Sequence, residues 1–462
     1  MIEFRNVGLL KAGYKIFEQL NFKIESHDNY VIQGGNGSGK TFLLQLISGM
    51  IAPSSGEVSY DFIRTSDLHE RYNMLRDSLH YIPAHALQAF LSGYHQLFYQ
   101  QRYYSIGDMQ LPRVRDFFNE DRLNFESFKF PPSLNIESLM ELELHRLSNG
   151  QLKKLLITRN LIKEIPRVLL LDYPFEGLDA GSRKDLCDFI DHIAAVYGIQ
   201  IILVDHHHEL PRAITRRLVL HEFKVKAIET ITKDNSAISP FVAKAMNCHC
   251  GNSNEPVVEM KEVTIQYGKT KIIEKLNWKI NKGERWALTG KNGSGKTTLF
   301  SMIYADHPMA YSQQVYLFGK RRGTGESIWD IKNRINYLGP EQIHFMNPGT
   351  MGITVHDYLA EGRTATKARL QGLIDFFNLH ALTGIPMRCL SSGQLQLALL
   401  IRFFLTDKEL LLLDEPFQFL DPVTKQSVNE YLSHYLDPDI TLILITHYEE
   451  DLAAWTQLRM SL

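Results

Sequence analysis

The sequence predicts a two-domain α/β protein. Each domain is a mostly parallel core sheet flanked by helices, with an antiparallel strand region and a helical subdomain. Three observations carry this expectation. The chain has 462 residues, which exceeds one ordinary hydrophobic core and suits two domains of ~200 residues. Its motifs occur twice, in one order. Its most apolar stretches (RVLLLD, IQIILV, ELLLLD, ITLILIT) are short, and they have the composition of parallel strands buried on both faces.

The repeat fixes the organisation. GGNGSGKT ending at Thr41 returns as GKNGSGKT ending at Thr297, and the same spacing lays LNFKI over LNWKI and HYIP over NYLG. At a slightly shorter spacing LSNGQ returns as LSSGQ, DYPFEGLD as DEPFQFLD, and His206 as His447. In each copy strands lead into a Gly loop and an apolar helix, and further strand and helix units follow. Such alternation favours a parallel sheet. The first domain is expected over residues 1–225 and the second over 257–462. Residues 226–256, rich in polar, Pro and Gly signals, read as a linker.

Composition removes several function classes. Lys and Arg (50) nearly balance Asp and Glu (52), so nucleic-acid binding has no overall electrostatic footprint. Four cysteines make no disulfide framework, and Cys248 and Cys250 lack a second Cys/His pair at zinc spacing. The opening MIEFRNVGLL reads as a strand, not a signal peptide. No apolar run reaches the ~18 residues of a membrane helix. A cytoplasmic protein is expected, reaching the inner face of the plasma membrane only through a partner.

The chemistry begins at the two GxxxxGK[ST] loops. Glycines let backbone N–H groups curl around phosphates, and the following helix N-terminus adds favourable partial charge. The candidates are Gly34, Asn36, Gly37, Ser38, Gly39, Lys40, Thr41 and Phe42 in the first copy. In the second they are Gly290, Asn292, Gly293, Ser294, Gly295, Lys296, Thr297 and Thr298. Lys40 and Lys296 are expected on the β- and γ-phosphates, and Thr41 and Thr297 on Mg²⁺. The strands RVLLLD and ELLLLD end in Asp172 and Asp414, second candidates for Mg²⁺ at the carboxyl edge of the sheet.

LSNGQ and LSSGQ resemble the LSGGQ signature of ABC ATPases. The Leu178-Asp179 and Leu420-Asp421 pairs and the histidines His206 and His447 follow in that family's order. The resemblance covers nearly the whole chain, twice. It implies two P-loop ATPase domains paired head to tail within one chain, an intramolecular pseudo-dimer with an MgATP at each interface. Ser391, Gly393 and Gln394 would close on the ATP held by Lys40. Ser148, Gly150 and Gln151 would close on the ATP held by Lys296. In the family the Glu after the strand-end Asp orients or deprotonates the attacking water. Glu415 fits that role, with His447 on the γ-phosphate and Lys296 on the same nucleotide.

Three departures mark the chain. Tyr173 stands where Glu415 stands, and a phenol with pKa ~10 is no base at neutral pH. Either Tyr173 is a packing substitution in a slow site or the first site binds ATP with little hydrolysis. The second reading is preferred. Tyr267 matches the aromatic that stacks on adenine, whereas Lys11 occupies that place in the first copy and Tyr14 lies three residues on. The Gln that links Mg²⁺ to a transmembrane partner is replaced by Ala84 and Pro340, with Gln88 and Gln342 in other registers.

Other features read more plainly. FYQQRYYS (98–105) reads as packing and partner contact, with base stacking on RNA as the alternative, and nucleic acid is not expected as a partner. The run 113–136 is unassigned. Of His206, His207 and His208, only His206 aligns with a functional position. Within the family the chain is similar to the ModF/PhrA type, named for molybdate transport and photorepair. That resemblance implies the ATP-binding component of a transporter-like system, with a membrane permease docking on the helical subdomains. Tandem sugar-import ATPases keep the Gln residues missing here. The ribosome-acting ABC-F proteins carry a long charged hairpin for which 220–256 is too short. A non-transport role in translation or DNA repair stays as the alternative.

Overall fold

The short apolar runs form the centre of two sheets. In a computed structural model, residues 1–11, 14–65, 67–84, 86, 113–119, 129–130, 134, 136–144, 147–206, 209–231, 254–267, 270–339, 348–361, 366–447, 456 and 458–462 are described. The chain divides into two compact units, Met1–Pro240 and Phe241–Leu462.

In the first unit six strands run in the order Leu79–Ile82, Val168–Asp172, Gln200–Val204, Tyr30–Gly34, Arg216–His221 and Lys224–Thr230. All pairs are parallel except the last. A separate antiparallel sheet pairs Ile2–Lys11 with Tyr14–Ile24 and Ser55–Tyr60. The second unit repeats the plan. It has a five-stranded parallel sheet in the order Ile335–Leu338, Leu410–Asp414, Thr441–Ile445, Arg285–Thr289 and Leu458–Ser461. Beside it lies an antiparallel sheet built on Pro256–Tyr267 and Thr270–Asn281. Short helices between Ile335–Leu338 and Leu410–Asp414 supply the helical region.

The apolar runs are buried at every position because each strand has helices on both faces. In LLLLD, Leu410 and Leu412 join the cluster around Leu299 and Phe300 of the Lys296–Ile303 helix. Leu411 and Leu413 join the opposite cluster, around the Ser392–Phe404 helix. The period-two alternation of a strand thus survives in a run without polar residues.

The strand Lys224–Thr230 extends the first unit past residue 225, into the segment read as linker. Its alternating exposed and half-buried residues mark an edge strand over the sheet, and KVKAIET is polar enough to resemble a connector. The expected linker therefore begins later than residue 226.

Arg285 is the largest fully buried side chain among the described residues. It donates from Nη1 to the carbonyl of Leu432 and from Nη2 to that of Leu436. Its charge thus meets the C-terminal end of the Pro422–His434 helix, where carbonyls are unpaired and the helix dipole is negative. Arg285→Ala should lower the stability of the second unit by about 2–4 kcal/mol, through a cavity and two stranded carbonyls. The shift in its denaturant midpoint checks this.

Candidate nucleotide sites

Each phosphate loop follows a central strand, Tyr30–Gly34 or Arg285–Thr289, and enters a helix. Gly39 (φ 96°) and Gly295 (φ 95°) sit at the N-caps of the Lys40–Ile47 and Lys296–Ile303 helices, and neither helix has a side-chain cap. Glycine is required there. The left-handed backbone favours it, and a Cβ on Gly39 would lie 2.6 Å from the Phe17 ring. The first-turn N–H groups are thereby left for an external anion.

The lysines close the loops from within. Lys40 Nζ donates to the carbonyls of Gly34 and Gly35, both at 2.8 Å. Lys296 Nζ donates to those of Gly290 and Lys291 at the same distances. Ser38 Oγ, Ser294 Oγ and Asn292 Nδ2 are buried with no hydrogen-bond partner among the described residues. Uncapped N–H groups, a folded-in ammonium and orphaned polar atoms together fit a polyphosphate.

Oxygen ligands for a hard cation lie at the loop exit. Thr41 Oγ1 donates to Asp172 Oδ2 at 3.1 Å, and Thr297 Oγ1 to Asp414 Oδ2 at 3.0 Å. A hydroxyl paired with a carboxylate suits Mg²⁺, which takes few protein oxygens and completes its shell with phosphate and water. In the first unit Tyr81 OH also donates to Asp172 Oδ2, at 3.2 Å. Burial pushes the Asp172 carboxyl up to about 6, opposed by the hydrogen bonds from Thr41 and Tyr81 and by the Lys40 charge. Burial, with the Asp172 charge second, raises the Tyr81 phenol, so it stays a donor.

The residues after the strand-end aspartates occupy equivalent places. Tyr173 (φ 49°) and Glu415 (φ 51°) both adopt the left-handed region. Their N–H groups donate at 3.0 Å to Val204 and Ile445, the last residues of the neighbouring strands. That neighbour leads in each case to the switch histidine. His447 Nε2 lies 3.3 Å from Glu415 Oε1, both side chains being buried. In the first unit the Tyr173 hydroxyl lies 2.9 Å from His206 Nε2, in a hydrogen bond. One backbone frame thus holds an acid–base pair in the second unit and a phenol–imidazole pair in the first.

The signature serines are N-caps. Ser148 Oγ accepts from Gln151 N–H, and Gln151 Oε1 accepts from Ser148 N–H; Ser391 and Gln394 repeat the exchange. This is a capping box, in which the Oε1 of each Gln accepts from backbone. Gly150 and Gly393 are buried in the first turns of these helices. Asp179 and Asp421 cap the next helices through Ser182 and Thr424.

The remaining expected residues are placed as follows. Lys11 Nζ stands 4.6 Å above the Phe42 ring, a cation–π contact. Tyr14 and Tyr267 are described in backbone only. Ala84 is described, whereas Gln88, Pro340, Gln342, residues 98–105, Cys248, Cys250, His207 and His208 lie outside the described residues.

Sequence reasoning missed three residues: Tyr81 on Asp172, and Lys153 and Gln396 behind the Tyr173 and Glu415 loops. The S-x-x-Q pattern was readable as a capping box. A lysine or glutamine inside an amphipathic helix carries no such mark. Among the described residues no helix is long and apolar enough to cross a membrane.

Comparison with known proteins agrees with this geometry. The family profile described as ABC transporter matches residues 17–176 and 273–418. An uncharacterized ABC transporter ATP-binding protein of Schizosaccharomyces pombe is 29% identical, covering 98% of this chain and 96% of its own. The ABC transporter ATP-binding protein ModF of Escherichia coli is 32% identical over 69% of this chain and 70% of its own. An archaeal ribosome recycling factor, crystallised with a ribosomal stalk protein, shares the fold with a TM-score of 0.58. It is 17% identical and covers 99% of this chain and 87% of that one. The chain belongs to the ABC transporter family, carries that family's ATPase domain twice, and hydrolyses ATP.

Proposed function

We propose that the protein binds two MgATP between its halves, paired head to tail, and hydrolyses ATP mainly at the site of Lys296, Thr297, Asp414, Glu415 and His447. The observation carrying this reading is the shared backbone frame of Tyr173 and Glu415. Only Glu415 offers a carboxylate that can orient a water and take its proton. Its neighbour His447, 3.3 Å away, would set its imidazole against the γ-phosphate. In the first half the phenol remains protonated at neutral pH and engages His206 instead. Lys40, Thr41 and Asp172 are complete there, which supports binding without efficient turnover.

Mg²⁺, when bound, would neutralise charge on the β- and γ-phosphates. Thr41 with Asp172, and Thr297 with Asp414, are the protein oxygens that would face it. Ser148 and Gly150 would complete the site of Lys296, and Ser391 and Gly393 that of Lys40. The N–H groups of their helix first turns meet the phosphate.

At the cellular level this ATPase acts as the ATP-binding component of a transporter-like system, in the cytoplasm at the inner face of the membrane. The likeness to ModF supports this reading and carries molybdate transport as its first candidate. A second reading, a non-transport regulator of translation or repair, is favoured by one feature. Ala84 offers no amide where the family's permease-coupling Gln stands.

Glu415→Gln should cut kcat by ~10²–10⁴-fold, the span for loss of a general base, with ATP binding retained. Tyr173→Phe should leave kcat within about threefold, because removing a hydroxyl that performs no proton transfer takes no base from the reaction. An equal loss in both variants contradicts the asymmetric assignment. Affinity capture with the Glu415→Gln chain in MgATP separates the cellular readings. A permease in the eluate supports the first, and ribosomal or repair proteins the second.

A further inference from the structure

Behind each loop that follows the strand-end aspartate, one side chain of the signature helix reaches across to a backbone carbonyl. In the second unit Gln396 Nε2 donates to the carbonyl of Pro416 at 2.9 Å. Pro416 is the residue after Glu415, and Gln396 lies one turn into the helix that Ser391 caps. In the first unit the aligned residue is Lys153. Its Nζ donates to the carbonyl of Pro174 at 2.7 Å and to that of Glu176 at 2.6 Å. The two copies thus reach the same proline carbonyl with different chemistry, a neutral amide in one and an ammonium in the other.

The latch matters because of what it joins. Glu415 sits in a left-handed conformation, held on one side by its N–H bond to Ile445. One residue further on, the carbonyl of Pro416 is held by Gln396. Gln396 is nine-tenths or more buried, so losing its donor strands a carbonyl away from water. A loop pinned at the Glu415 N–H and again at the Pro416 carbonyl keeps the carboxylate in one orientation toward His447.

We infer that Gln396 is a positioning residue: it ties the signature helix headed by Ser391 to the loop carrying Glu415, so that the seating of that helix sets the aim of the carboxylate. The inference rests on the reading that Glu415 is the principal catalytic base. It adds a direction of control. In the head-to-tail pairing proposed above, nucleotide closing on Ser391 would belong to the site of Lys40, whereas the carboxylate that Gln396 aims belongs to the site of Lys296. Given that pairing, occupancy of the first site would reach the second through one helix turn and one hydrogen bond. In the first half Lys153 grips two carbonyls, and its ammonium is desolvated enough to bring it down to about 8, with Glu176 and Asp205 opposing the fall. That double grip holds the Tyr173 loop in place.

The test uses the full chain and steady-state ATPase kinetics, with nucleotide binding and thermal midpoint measured alongside. Gln396→Met keeps the volume and removes the donor. It should lower kcat roughly tenfold or more, as small misplacements of a reacting group do, with KM and ATP binding within about twofold. Gln396→Lys, the first half's own solution, should restore kcat to within about threefold of the parent, since it returns a donor to the same carbonyl. Should Gln396→Met fail to fold, Gln396→Glu replaces it, with the same loss expected. Combining Gln396→Met with Ser391→Ala should give less than the product of the two losses, as coupled residues do.

A kcat near the parent's in Gln396→Met, no rescue by Lys, or fully multiplicative losses overturns the latch. Glu415→Gln, run in parallel, separates the two ideas. If it retains turnover the assignment of the base fails. If it loses turnover while Gln396→Met does not, only the latch fails.

Discussion

The structure turns on one backbone hydrogen bond made twice. The N–H of the residue after the strand-end aspartate donates to the last carbonyl of the neighbouring strand, Tyr173 to Val204 and Glu415 to Ile445. It extends the parallel ladder by one residue, and that residue lies in the left-handed region in both halves. The candidate site residues are arranged about it. The aspartate before it meets the phosphate-loop threonine, the histidine after the neighbouring strand meets its side chain, and the signature helix holds the carbonyl of the proline after it. The parallel sheet supplies this convergence because its strands all deliver their carboxyl ends to one edge.

Against that fixed frame the two halves differ by chemistry rather than by shape. Both keep the folded-in lysine, the uncapped helix and the Thr–Asp pair. One frame presents a carboxylate 3.3 Å from an imidazole, the other a phenol bonded to one. A change of one side chain at a strained backbone position alters the functional group on offer while the scaffold is retained. The cost of that backbone strain, ~1–3 kcal/mol for a non-glycine residue, is met by the flanking ladder.

Much of this was legible in the sequence, for reasons that differ by element. The parallel strands could be read because full burial leaves unbroken apolar runs such as LLLLD and TLILI. The phosphate loops could be read because only glycine tolerates the φ of Gly39 beside Phe17. The edge strand Lys224–Thr230 escaped because its exposed face carries linker-like polarity. Tyr81 and Gln396 escaped because their roles are set by what lies across a tertiary contact. A tyrosine in a strand and a glutamine in a helix look the same whether they meet water or a buried aspartate and carbonyl. The signature Gln residues, expected at the nucleotide, also turn their Oε1 atoms to the capping boxes of their own helices.

The central claim is that one site retains ATP while the other converts it. The direct measurement is a single-turnover experiment on the full chain, loaded with radiolabelled MgATP, freed of unbound nucleotide, and quenched over time. The account predicts two nucleotides per chain, one turning to ADP in a fast phase while the other stays as ATP at least a hundredfold longer, the lower bound on loss of a general base being ~10²-fold. Conversion of both nucleotides to ADP in one phase contradicts it.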